Sequence, residues 1–131
     1  MSDLVTPRSF DPPRRRPVAA SFQARDHLGV QVTCELRSPT LIAVVKDQCT
    51  GCSEFIAQQA IIPIEVVVVT ESSAASQNYS VLLAPEFIAD LEARFAPIYL
   101  VVSGTPLEVV GEGTIFSAAQ VATEIAPWLS P

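Results

Sequence analysis

Cys49-Thr50-Gly51-Cys52 puts two thiols three residues apart, just after an apolar run and at the point where the residue pattern changes to a helical period. A cysteine in the first turn of a helix lies beside unpaired backbone N–H groups and the positive end of the helix dipole, and both favour thiolate over thiol. At this spacing the second sulfur can attack a mixed disulfide formed on the first, so one cysteine can act as nucleophile and the other as resolver. Gly51 removes a side chain from between them. The expected chemistry is thiol–disulfide exchange, with Cys49 more acidic than a free cysteine.

A close cysteine pair is also half of a zinc site. His27, Cys34, Cys49 and Cys52 are all the His and Cys of the chain, and Cys3His is an accepted zinc set. Against it, His27 and Cys34 fall in a predicted hairpin, and the spacing matches no familiar zinc module, so neither a metal nor another cofactor is expected. Cys34 alternates with Val32 and Leu36, which makes it a small buried apolar residue or else a third redox thiol. His27, at a turn, is expected in solvent, and Trp128 beside Pro127 as a packing lid.

The elements that must position the pair are legible in outline. Ser21 to Arg25 and Val30 to Leu36 alternate around Asp26-His27-Leu28-Gly29, the pattern of a hairpin with glycine at its turn. Thr40 to Val45 is continuously apolar and partly β-branched, as a strand buried on both faces should be. Cys52, Phe55, Ile56 and Ala60 then share one helical face. Ile64 to Thr70 reads as a second buried strand, Glu71 to Asn78 as a polar loop, and Phe87, Ile88, Leu91 and Phe95 as a helical stripe opened by Pro85. Two strands, Ile98 to Ser103 and Leu107 to Gly111, flank the Gly104-Thr105-Pro106 turn. Ser117 with Gln120 is a capping-box pattern, followed by Val121, Ala122, Ile125 and Leu129 on one face. Strand–helix–strand connection requires a parallel pair, and the last two strands must be antiparallel, so a mixed sheet with helices on both faces follows.

The chain has 131 residues, 49% of them apolar, enough for one domain with its own core. Residues 1–18 hold four prolines and no apolar period, so they are expected to form a flexible arm, with Arg14, Arg15 and Arg16 solvated, ahead of a domain over 19–131. A net charge of −6 argues against nucleic acid or an anionic membrane as the main partner. No secretory signal pattern is visible in Met1 to Pro17, and the longest apolar stretch, Ile61 to Val69, is too short to span a bilayer. The expected setting is cytosolic, where a close cysteine pair is more often catalytic or metal-binding than structural.

Strand, CxxC at a helix start, strand, helix, then Ala96-Pro97 opening a strand that hairpins into the next and ends in a helix resembles the thioredoxin superfamily. Within it, the hairpin before Pro39-Thr40-Leu41-Ile42 and the segment from Pro97 through Gly111-Glu112-Gly113 are similar to TlpA/ResA-like and peroxiredoxin-related thiol–disulfide oxidoreductases. The resemblance covers about residues 20–126 and implies a thioredoxin-like α/β fold. It implies Cys49 as exposed nucleophile, Cys52 as buried resolver, Pro97 as a cis-proline facing the pair, and a protein or small-molecule disulfide or thiol as substrate. The substrate would be bordered by Thr50, Gly51, Ala96 and Pro97. The chain departs from the usual pattern with Gln48 where tryptophan is common, Gly51 where proline or histidine is common, and Ala43 near the place of a buried acid. Those departures keep open a third possibility, an interaction module of the same fold with little turnover.

Overall fold

The computed structural model describes residues 15–93 and 95–129, apart from the side chain of Trp128. The elements are β1 (Ser21–Arg25), β2 (Gln31–Glu35), β3 (Thr40–Val45), α1 (Thr50–Ala57), β4 (Glu65–Thr70), α2 (Ser73–Tyr79), β5 (Leu82–Leu83), α3 (Pro85–Leu91), β6 (Ile98–Ser103), β7 (Glu108–Thr114) and α4 (Ala118–Leu129), with a 3₁₀ turn at Gln59–Ile61. The strands form one sheet in the order β2-β1-β5-β4-β3-β6-β7. β3 pairs parallel with β4, from Thr40 opposite Glu65 to Val45 opposite Thr70, and antiparallel with β6.

All six residues of β3 are buried because both faces of the strand are covered. On one face Ile42, Val44, Leu100 and Val102 pack with Phe87, Ile88 and Leu91 of α3. On the other, Leu41, Ala43, Tyr99 and Val101 pack with Phe55 of α1 and with Ala118, Val121 and Ile125 of α4. The period of two along each strand thus supplies both cores. The rings of Phe22 and Phe87 stack with centroids 3.7 Å apart, which fixes the β1–β2 hairpin to α3. At the hairpin turn Asp26 Oδ1 accepts from the Leu28 and Val30 N–H groups, and Gly29 takes the positive φ of 86° that an L side chain resists. The α4 capping box forms as its residues suggest: Gln120 N–H donates to Ser117 Oγ at 3.0 Å, and Gln120 Oε1 accepts from Ser117 N–H at 3.0 Å.

Four expectations need correction. Glu71 to Asn78 is not simply a polar loop, since Ser73–Tyr79 is a helix capped by Ser72, whose Oγ accepts from Ala75 N–H. Only Ala75 and Ser76 of that helix are buried, so it carries no apolar stripe to announce it. Phe95 lies outside the α3 stripe and is 59% exposed, because the helix ends at Leu91 and Glu92 turns left-handed with φ 56°. The last strand runs to Thr114 rather than stopping at Gly111, with its register shifting between Val101 and Val102.

The fourth correction concerns the arm. Residues 1–14 lie outside the described part, but Arg16 and Val18 are buried. Arg16 Nε donates to the Leu91 carbonyl at 2.8 Å, and its two terminal nitrogens donate to the Glu112 carboxylate at 3.0 and 3.3 Å. Val109 N–H donates to Arg16 O, and Val18 N–H donates to Leu107 O. The guanidinium fork matches a carboxylate and still reaches one of the carbonyls that a helix C-terminus leaves unsatisfied. Arg16 and Val18 thus pack on the sheet rather than lying in solvent. Arg15, by contrast, is a surface residue in an exposed pair with Glu108 at 3.3 Å, and Arg14 lies outside the described residues.

Candidate redox site

β3 ends at Val45, and Lys46 to Gln48 carry the chain over the edge of the sheet, with Gln48 at φ 54°. Cys49 is the N-cap of α1, in extended conformation at φ −123° and ψ 110°, and its Sγ accepts from the Cys52 N–H at 3.1 Å. This is the cap geometry that serines and aspartates adopt, here with sulfur as the acceptor. Cys49 and Cys52 are joined as a disulfide, their Cα atoms 5.2 Å apart. Cys52 is fully buried in a cluster with Val45 and Val81, whereas Cys49 is half-buried at the edge of that cluster. Of the two cysteines, Cys49 is the more exposed.

Thr50 opens the helix and is exposed. Gly51 sits at a close approach: a Cβ there would lie 3.1 Å from the backbone carbonyl oxygen of Phe116, so that segment would have to give by a few tenths of an ångström. Glu54 fixes the same helix from below, its Oε1 accepting from Ala118 N–H at 2.9 Å at the start of α4.

Ala96 and Pro97 are half-buried and joined by a cis peptide. Ile98 lies opposite Val44 in the antiparallel register, so Pro97 falls at the end of the sheet from which β3 delivers the cysteines. The two parts are linked through one segment, since Pro97 O accepts from Ile115 N–H at 3.3 Å and the next carbonyl, that of Phe116, abuts Gly51. Ala43 is fully buried in the core under α1, so its position supplies no carboxylate to the pair.

Tyr79 was not legible as a site residue. It is the last residue of α2, and its hydroxyl accepts from Cys49 N–H at 3.2 Å and donates to Cys49 O at 3.4 Å. Asn78 beside it donates to Asp47 Oδ1 at 3.1 Å. No local spacing signals these contacts, because they span about thirty residues and depend on a helix with no apolar stripe.

Cys34 is half-buried in β2 and lines a groove of about 330 Å³ with Asp26, His27, Ile56 and Tyr79 among its walls. Burial, with Glu65 and Glu35 adding, pushes the Cys34 thiol up. Its thiolate is accordingly scarce at neutral pH, and labelling of the reduced, folded protein at pH 7 should modify Cys49 at least about tenfold faster than Cys34. Cys34 should catch up only under alkaline or unfolding conditions; equal rates at pH 7 would contradict the assignment. Among the described residues, no three or more of His, Cys, Asp and Glu come together in a group that could hold a metal.

No protein-family model matches this chain, and neither does any curated protein. Solved structures do match. A DsbF homologue from Corynebacterium diphtheriae superposes with a TM-score of 0.60 and 12% identity, covering 92% of this chain and 93% of the other. A thio-disulfide isomerase from Thermus thermophilus gives 0.54 and 18%, covering 86% and 93%. A peroxiredoxin-like protein from Aquifex aeolicus gives 0.52 and 11%, covering 90% and 86%. The chain thus has a thioredoxin-like fold, that of thiol–disulfide oxidoreductases, with its cysteine pair at disulfide distance.

Proposed function

We propose that the protein is a thiol–disulfide oxidoreductase in which Cys49 is the nucleophile and Cys52 the resolver. The observation that supports this most is the asymmetry of the pair: a half-buried sulfur at a helix N-cap, accepting a backbone N–H, bonded to a fully buried one. In the reducing direction the Cys49 thiolate attacks one sulfur of a substrate disulfide and expels the other as a thiolate. Cys52 then loses its proton through solvent to that leaving thiolate and attacks Cys49 Sγ. The second substrate thiolate leaves, so two electrons have passed from the dithiol to the substrate and the protein holds the disulfide. The oxidising direction is the same sequence reversed.

The substrate is a protein or small-molecule disulfide or thiol, received over Thr50, Gly51, Ala96 and Pro97. Exposed Phe116, next to Gly51 in space, and exposed Phe95, next to Ala96 in sequence, add apolar surface suited to a protein segment. The cytosol is the proposed compartment, and no helix among the described residues is long and apolar enough to cross a membrane. The place of Ala43 favours one other reading, a binding module that has lost turnover. Dithiothreitol-driven reduction of insulin separates them: the oxidoreductase accelerates it catalytically, whereas a module leaves the uncatalysed rate unchanged.

A further inference from the structure

The phenol of Tyr79 holds both backbone polar groups of Cys49, and the helix that presents it is itself anchored to the redox end of β3. Thr70 Oγ1 donates to Val45 O at 2.8 Å and accepts from Ser72 N–H at 3.2 Å, which ties the start of α2 to the last residue of β3. Ser76 Oγ donates to Val81 O at 2.6 Å within the buried part of α2. At the other end Ser80 turns left-handed with φ 58°, so the helix stops with Asn78 against Asp47 and Tyr79 against Cys49. Two consecutive side chains of α2 therefore grip the three-residue stretch that leads into the pair.

We propose that Tyr79 is a positioning residue that favours the disulfide form of the pair by holding Cys49 at the N-cap, where its sulfur meets Cys52. The proposal rests on the redox reading above. In the disulfide form the covalent bond fixes Cys49 relative to Cys52 with both phenol hydrogen bonds in place, so this form keeps their full stabilisation. In the dithiol form Cys49 hangs from Gln48, whose φ of 54° is disfavoured for a residue other than glycine, and the loop gains by relaxing. Relaxation would take Sγ away from the Cys52 N–H, the donor that favours thiolate. The hydroxyl opposes that movement through the Cys49 N–H and carbonyl, where the carbonyl also accepts the first helical bond from Ser53 N–H at 3.1 Å.

The experiment equilibrates wild type and Tyr79→Phe with graded mixtures of reduced and oxidised glutathione and counts trapped thiols. Phenylalanine keeps the ring that packs beside Val45, Cys52 and Val81 and removes only the hydroxyl. The expected result is a shift of the equilibrium toward the dithiol by roughly two- to tenfold, the effect of up to about one net hydrogen bond. The thermal midpoint of the disulfide form should fall more than that of the dithiol form, and alkylation of reduced Cys49 should need a higher pH. Equal loss of stability in both forms with an unmoved glutathione equilibrium would make Tyr79 merely structural and overturn the proposal alone. A wild type whose disulfide never exchanges with glutathione would overturn the redox reading and the proposal together.

Discussion

Replacing Cys49 with serine is expected to abolish the reversible disulfide and to lower insulin reduction to the uncatalysed rate, a loss on the order of a thousandfold or more, as when a catalytic nucleophile is removed. Cys52→Ala should behave differently. Cys49 is the half-buried sulfur and Cys52 is sealed against Val45 and Val81, so the first exchange can still occur at Cys49 while resolution cannot. The Cys52→Ala protein should therefore accumulate a mixed disulfide with its substrate, detectable as a dithiothreitol-sensitive mass increase. Trapping by Cys49→Ser instead would reverse the roles of the two cysteines. Retained turnover in both variants would remove the pair from the mechanism.

The largest expected effect on stability lies far from the cysteines. Arg16→Met keeps an apolar stem but deletes the guanidinium, leaving the Leu91 carbonyl and the Glu112 carboxylate without that partner. Breaking a buried ion pair from one side costs about 3–5 kcal/mol, and because Glu112 keeps some access to water, about 2–3 kcal/mol is expected here. Urea unfolding measures it as a lowered midpoint with an unchanged slope. Arg15→Ala, which removes only an exposed pair with Glu108, should cost less than about 1 kcal/mol. Equal losses in the two variants would mean that Arg16 contributes no more than a surface charge.

The contrast between these two arginines also marks what a sequence can convey. β3 and the capping box of α4 were legible because each depends on a local pattern: a β-branched run in one case, Ser117 and Gln120 three residues apart in the other. The cysteine pair was legible for the same reason, since the apolar run before it and the helical period after it place it at a helix start. Arg16 was not, because its burial depends on a carboxylate 96 residues away and on a helix carbonyl 75 residues away. Neither was α2, whose Ser-Ala-Ala-Ser-Gln-Asn-Tyr sequence buries little and is held by Thr70, Ser72 and Ser76 through polar contacts. With α2 unrecognised, Tyr79 had no element to bring it to Cys49. Gly51 was noticed for the space it leaves between the cysteines, while the structure adds the Phe116 carbonyl that a side chain would meet.

The most direct test of the central claim is a redox titration of the Cys49–Cys52 pair against defined thiol–disulfide buffers, read by alkylation and mass. The account predicts one reversible two-electron transition confined to these two cysteines, with Cys34 remaining a thiol throughout. Its midpoint should fall between roughly −120 and −270 mV, the span of catalytic thioredoxin-fold pairs. A pair that stays oxidised below about −300 mV, as structural disulfides do, or one that never re-forms after reduction, would contradict it.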